Sequence, residues 1–185
     1  MKHFDDHEAL TFHPLESVGD VNSTEAILTD AEAAWLAGFL DGEGSFGIKW
    51  QRSARDRHMT STVATVCVSQ AEPRTEILYW LKEKFGGSVA NHGTDRRNKN
   101  HNASKRWAVT GARAVLVCQA VLPYLKLKRR HAEIVLAHQA TKLSSHIGVR
   151  KGTPRDSLRI TPEMIALRTD HVNEIAILNR RGVWQ

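Results

Sequence analysis

The spacing of apolar and polar residues changes period several times along the chain, and each change marks an element. Trp35, Leu36, Phe39 and Leu40 recur at helical spacing. Ahead of them, Thr29-Asp30-Ala31-Glu32 has the form of a capping box, with Thr29 as cap and Glu32 reaching back to its backbone. Gly42 and Gly44 offer a stop, so the pattern predicts a helix from about Asp30 to about Asp41. Phe46, Ile48 and Trp50 then alternate with Gly47, Lys49 and Gln51, the period of a strand with one buried face. An arginine-rich connection leads into the β-branched run Thr60 to Ser69, where Ala64, Val66 and Val68 share a face; together the two strands predict a long hairpin.

A similar order follows. Pro73 suits a first helical turn, and Ile77, Leu78, Leu81 and Phe85 make an amphipathic helix that should end at Gly86-Gly87. Ser88 to His92 and Arg106 to Thr110 predict a second strand pair, separated by a polar connector. Helical spacing returns over Ala112 to Leu122, breaks at Pro123, resumes from about Arg129 to Thr141, and recurs from Pro162 to Asn179. This order predicts an α+β domain whose mainly antiparallel sheet is covered by helices on one face and free on the other.

Composition narrows the class of partner. The chain has 185 residues, 41% apolar and 25% charged, as expected of one globular domain with a real core. Lys and Arg outnumber acids 26 to 20, which leans towards a polyanionic partner. The excess is uneven: residues 1–29 carry Lys2 as their only Lys or Arg against Asp5, Asp6, Glu8, Glu16, Asp20 and Glu25. That stretch is expected to be an acidic N-terminal extension, with the functional domain at 30–185. It resembles neither a secretory signal nor an arginine-rich transit peptide, and no later run suits a membrane span, so a soluble intracellular protein is expected, its compartment open. Cys67 and Cys118 are far apart in apolar stretches, which supports two buried thiols rather than a disulfide framework or zinc site.

The densest chemistry lies in Leu36-Ala37-Gly38-Phe39-Leu40-Asp41-Gly42-Glu43-Gly44. Ala34, Gly38 and Gly42 fall on one helix face, where a second backbone could approach closely. A mid-helix glycine costs roughly 1 kcal/mol relative to alanine, a loss that such a contact would offset. Asp41 and Glu43 sit where the helix dipole disfavours negative charge, a penalty that a divalent cation would reverse; an acidic turn in solvent is the other reading. Gly42 to Gly47 also fits GxGxxG, but a dinucleotide site needs the strand before the glycines and the helix after them, the reverse of this order.

The nine-residue stretch resembles the signature of the LAGLIDADG homing endonucleases at its leucine, alanine, glycine and acidic positions, with Glu43 in place of the final aspartate. The resemblance extends over most of residues 30–180 to the single-motif, homodimeric group. Val68-Ser69-Gln70 and Arg74 match that group's glutamine after the second strand and arginine opening the next helix, and Pro123-Tyr124-Leu125-Lys126-Leu127-Lys128 matches its proline-aromatic-leucine-lysine-leucine-lysine segment.

The resemblance implies a LAGLIDADG fold: two antiparallel strand pairs forming a DNA-binding saddle backed by helices, with the motif helix at a dimer interface along Ala34, Gly38 and Gly42. It implies a homodimer that cuts both strands of a long pseudo-palindromic double-stranded DNA site, leaving 3′ overhangs, with Mg²⁺ as cofactor. Glu43 and the Gly42 carbonyl would hold the metal, while Gln70, Arg74 and Lys128 would order water and charge around the scissile phosphates. Read without the resemblance, Gln70 as a cap, Arg74 as a surface charge and Lys128 as part of a solvated basic face are the favoured readings. The DNA contacts expected from the strands and connectors are Lys49, Gln51, Arg55, Arg57, Asn91, His92, Arg96, Arg97 and Arg106. An RNA-binding intron maturase and a non-catalytic DNA-binding regulator on the same fold are the alternatives.

Overall fold

The computed structural model describes residues 27–52, 59–92, 103–144 and 161–180. Its elements run α1 (Asp30–Glu43), β1 (Gly44–Arg52), β2 (Met59–Ala71), α2 (Glu76–Phe85), β3 (Ser88–Asn91), β4 (Ser104–Thr110), α3 (Ala112–Val121), α4 (Arg129–Ser144) and α5 (Pro162–Leu178). The predicted order of helices and strands is the order observed, and the α+β class with an antiparallel sheet stands.

The capping box forms at the start of α1: the Glu32 amide donates to Thr29 Oγ1 and the Thr29 amide to Glu32 Oε2. The other end departs from expectation. Gly42 continues the helix, which runs to Glu43, and Gly44 turns the chain directly into β1. A Cβ on Gly44 would stand 2.7 Å from the Leu40 carbonyl oxygen, so this abrupt helix-to-strand passage needs a residue without one. Pro73 falls in a turn, and α2 begins only at Glu76.

The two predicted strand pairs are halves of a single four-stranded antiparallel sheet in the order β1-β2-β4-β3. The joining ladder pairs Thr65 with Thr110 and Val68 with Trp107, so the strands of the two halves are hydrogen-bonded neighbours. Strand alternation sorts the faces. Phe46 and Ile48, Ala64, Val66 and Val68, and Trp107 and Val109 are buried together with Leu36, Leu40, Leu78, Leu81, Val117, Val121, Ile134 and Val135 from the helices. Each large aliphatic side chain in such a core stabilises the fold by about 1.5–3 kcal/mol. Trp107 also donates its indole N–H to the Gly86 carbonyl, tying β4 to the end of α2.

The apolar stripe read from α1 divides. Leu36 and Leu40 are buried with Ala33 and Ala37, but Trp35 is 53% exposed and Phe39 half-buried. Trp35 stacks on Phe39 and meets Trp80 of α2 edge-on, forming an aromatic ledge outside the core. Among the described residues, no helix is long and apolar enough to cross a membrane.

Behind β1 and β2, α4 and α5 close the core around polar groups as well as apolar ones. His138 is buried with Nε2 2.9 Å from Thr62 Oγ1, and Lys142 hydrogen-bonds the Thr62 carbonyl. Arg168 of α5 donates to the Thr141 hydroxyl and carbonyl, and Asn179 donates to the Phe46 carbonyl of β1. These bonds seat α5 against the rest of the fold.

Candidate active site

The last turn of α1 ends at one edge of the sheet, and three other segments arrive there. Gly44 pairs with Val68, and β2 continues past that pair through Ser69 and Gln70, which brings Gln70 to the α1–β1 junction. Arg74 follows in the turn after β2, exposed, and an open hollow of about 330 Å³ is lined by Gln70, Ala71, Glu72, Pro73 and Arg74. The segment between α3 and α4 delivers Lys128. Glu43 is exposed at the junction itself.

Lys128 is the best-defined of these groups. Its ammonium donates to the carbonyls of Leu40 at 3.0 Å, Gly42 at 3.4 Å and Gly44 at 2.8 Å. A helix leaves its last carbonyls without intrahelical partners and concentrates negative charge there, so a lysine amine satisfies both needs. Burial holds this amine below the ordinary lysine pKa, while the charges of Asp41 and Glu43 pull the other way. Asp41 has a different task from the cation-linked one considered above. Its two carboxylate oxygens accept the backbone N–H groups of Lys126 and Lys128 at 2.7 and 2.8 Å. Nothing in the local sequence around Asp41 signals a bond to residues so far along the chain.

Gln70 is half-buried and in register with Lys105 of β4, a residue outside the predicted set. The Lys105 amine donates to the Tyr79 hydroxyl at 3.1 Å and stands 3.5 Å from Glu72. The Tyr79 bond, ahead of Glu72, raises the Lys105 pKa. A lone lysine in a strand gives no signal of this cluster, which depends on the β2–β4 register.

The free face of the sheet carries Ser45, Gly47, Lys49 and Gln51 from β1, Ser61, Val63, Thr65, Cys67 and Ser69 from β2, and Ser104, Arg106, Ala108 and Thr110 from β4, with Ser88 and Ala90 from β3. These positions include hydroxyls, an amide and two cations but no carboxylate. Lys49 and Gln51 are exposed as predicted. Arg106 is half-buried, its guanidinium on the Cys67 thiol and its Nε buried without a hydrogen-bond partner. Asn91 pairs with Lys105, so alternation sets it on the helix side at the open end of the sheet, away from the free face. His92 follows β3, exposed, with its amide donating to the Ser104 carbonyl. Arg55, Arg57, Arg96 and Arg97 lie outside the described residues.

Ala34, Gly38 and Gly42 are exposed on the same face of α1 as Ala31 and Trp35. A methyl group added at Gly38 or Gly42 would meet nothing within 4 Å. Intrachain packing therefore gives no reason for glycine there, and the face is open to a second surface.

The available donors fit a hard cation: the Glu43 carboxylate and backbone carbonyls supply oxygen alone. Among the described residues no group of three or more His, Cys, Asp and Glu side chains is placed to hold a metal.

The helix that ends in this acidic turn carries the signature stretch Leu36 to Gly44, and the chain belongs to the LAGLIDADG endonuclease family, whose sequence model matches residues 36–128. The chain is 32% identical over 106 residues to the DNA endonuclease I-CvuI of Chlorella vulgaris, an alignment spanning 56% of this chain and 60% of that protein. The fold is similar to the crystal structure of the homing endonuclease I-CvuI with its target, with a TM-score of 0.61 at 18% identity over 84% of this chain and 87% of that one. It is also similar to the archaeal intron-encoded homing endonuclease I-Vdi141I complexed with DNA, with a TM-score of 0.59 at 12% identity over 84% and 89% of the two chains.

Proposed function

We propose that residues 30–185 form a homing endonuclease that, as a homodimer, hydrolyses both strands of a long pseudo-palindromic double-stranded DNA site in the presence of Mg²⁺. The observation that carries this reading is the end of α1, where the Lys128 ammonium reaches the Gly42 and Gly44 carbonyls on either side of Glu43. Family membership supplies the class of reaction, and the solved complexes of I-CvuI and I-Vdi141I with DNA support the partner.

In this reading the free face of the sheet lies in the major groove. Lys49, Gln51 and Arg106 there can meet base edges or phosphates without opposing carboxylates. The exposed small-residue face of α1 packs on its symmetry mate, which brings two Glu43 carboxylates together and sets the spacing of two half-sites. The site would span roughly two helical turns, at about 10 bp per turn.

Glu43 and the Gly42 carbonyl would hold the divalent cation, which supplies Lewis-acid stabilisation and an activated water. Gln70 orients water by donating and accepting hydrogen bonds, and neither it nor Arg74 has to act as a strong base. Lys128 and Arg74 place positive charge beside the phosphate as negative charge develops on it. Cleavage to 3′ overhangs is the outcome the family resemblance implies.

The test is to incubate the purified protein with a randomised duplex library, with Mg²⁺ or with EDTA, and to sequence new ends. Mg²⁺-dependent ends centred in one pseudo-palindrome support the reading. Enrichment by binding without new ends supports a DNA-binding regulator, and preference for RNA over duplex DNA supports a maturase.

A further inference from the structure

Asp41 occupies an unfavourable place for a carboxylate, the last turn of a helix, where the exposed carbonyl ends are already negative. Both of its oxygens are nevertheless engaged, Oδ2 by the Lys126 amide at 2.7 Å and Oδ1 by the Lys128 amide at 2.8 Å. Hydrogen bonds to a charged acceptor are about twice as strong as neutral ones, which offsets the penalty. Between the two bonded amides, Leu127 points outward and is 64% exposed, so no burial of its own holds this segment down.

The same short segment is fixed to α1 a second time. The Lys128 amine reaches the carbonyls of Leu40, Gly42 and Gly44, which flank Asp41 and Glu43. The backbone of residues 126–128 is thus held by an α1 side chain, and the Lys128 side chain by the α1 backbone. An ammonium on a flexible four-carbon stem has little positional definition unless its own backbone is fixed.

We propose that Asp41 is a positioning residue for phosphodiester cleavage: by gripping the Lys126 and Lys128 amides it sets where the Lys128 ammonium stands beside Glu43. This rests on the cleavage reading given above. Asp41 acts through Lys128 and does not itself touch the phosphate. The role requires two acceptor oxygens in a fixed orientation, and an asparagine keeps one of them.

The experiment uses the full chain, as wild type and as Asp41→Asn, Asp41→Ala, Lys128→Ala and Asp41→Ala/Lys128→Ala. Single-turnover cleavage at saturating DNA and the Kd for the same duplex are measured on a site recovered from the library. Cleavage is expected to slow by about 10- to 100-fold in Asp41→Ala, the scale of a displaced catalytic group, with Kd unchanged. Asp41→Asn should recover part of the rate, and the double variant should be no slower than Lys128→Ala alone. A double variant in which the two losses multiply, or an Asp41→Asn indistinguishable from Asp41→Ala, overturns the proposal. If Asp41→Ala fails to fold, Asp41→Asn takes its place in the cycle with Lys128→Ala.

Amide hydrogen exchange at Lys126 and Lys128 in the unliganded protein gives an arm independent of cleavage. Exchange at both amides should be at least about 10-fold faster in Asp41→Ala. Unchanged exchange overturns the grip on the segment. A wild-type chain that cuts no DNA, with exchange accelerated as expected, sinks the endonuclease reading and Asp41's part in cleavage with it, while leaving the grip itself established.

Discussion

His138 Nε2 lies 2.9 Å from the Thr62 hydroxyl, joining the middle of α4 to β2 in a buried setting beside Lys142, His171 and Arg168. Burial first, then Lys142, His171 and Arg168, hold the His138 pKa down to about 4. The unfolded chain would protonate this ring near the ordinary 6.5 and the folded chain only near 4, so stability is lost as pH falls through that window. Between pH 7.5 and pH 5 the loss from this group is about 2 kcal/mol. Urea unfolding at the two pH values should show it, and His138→Gln should flatten the slope. Some slope should persist, because burial also lowers His131 and His171. A His138→Gln variant as acid-sensitive as the wild type would falsify this account.

Gly87 and Gly38 should respond in opposite ways to a methyl group. Gly87 has φ +88°, and a Cβ there would come 2.5 Å from the Ala108 carbonyl oxygen. Gly87→Ala is expected to destabilise the fold by about 2 kcal/mol in chemical denaturation, through strain at a backbone conformation that alanine avoids.

A Cβ at Gly38 has nothing within 4 Å and the position is exposed, so the circular dichroism spectrum of Gly38→Leu should match the wild type. Sedimentation should nevertheless give monomers, because the larger side chain keeps two α1 helices apart. A normal dimer would show that α1 does not pack on α1 through this face.

Glu43→Gln removes the charge of the proposed metal ligand and leaves its size. Cleavage should fall by at least about 100-fold, the scale of losing an electrostatic catalytic group, while duplex binding without metal stays the same. Cleavage at the wild-type rate would remove Glu43 from the metal site.

Lys49→Ala and Arg106→Ala probe the free face of the sheet. If each contacts a phosphate, each should lower the slope of log K against log salt by about 1, read by anisotropy titration across a salt series. A change confined to one base position, with the slope intact, would instead assign that side chain to base readout. Binding unaffected by both changes would place the DNA elsewhere.

Much of the fold was legible because its elements rest on local rules. Thr29 and Glu32 are three residues apart, and their capping box forms as the pattern predicts. Alternation along β1 and β2 identified the buried face from Phe46 to Val68. Failures arose where a local signal had to be weighed against a neighbour distant in sequence. Trp35 has the spacing of a core residue on α1, yet it stacks on Phe39 and meets Trp80 edge-on outside the core. Pro73 fits a first helical turn, but α2 starts later.

The sequence by itself determined the helix and strand order, the antiparallel character of the sheet, and, through the stretch from Leu36 to Gly44, the family. Those features are set by periodicity, capping and a contiguous motif, all of which act over a few residues. Only the tertiary structure decided that the strand pairs join through β2 and β4, that Gln70 lies beside Lys105, and that Asp41 holds the amides of Lys126 and Lys128. The buried bond between Thr62 and His138, and that of Arg168 of α5 to Thr141, are of the same kind. The physical reason is shared: a contact between residues dozens of positions apart leaves no period in either segment, and its partner is chosen by how the strands pair and the helices pack on the sheet.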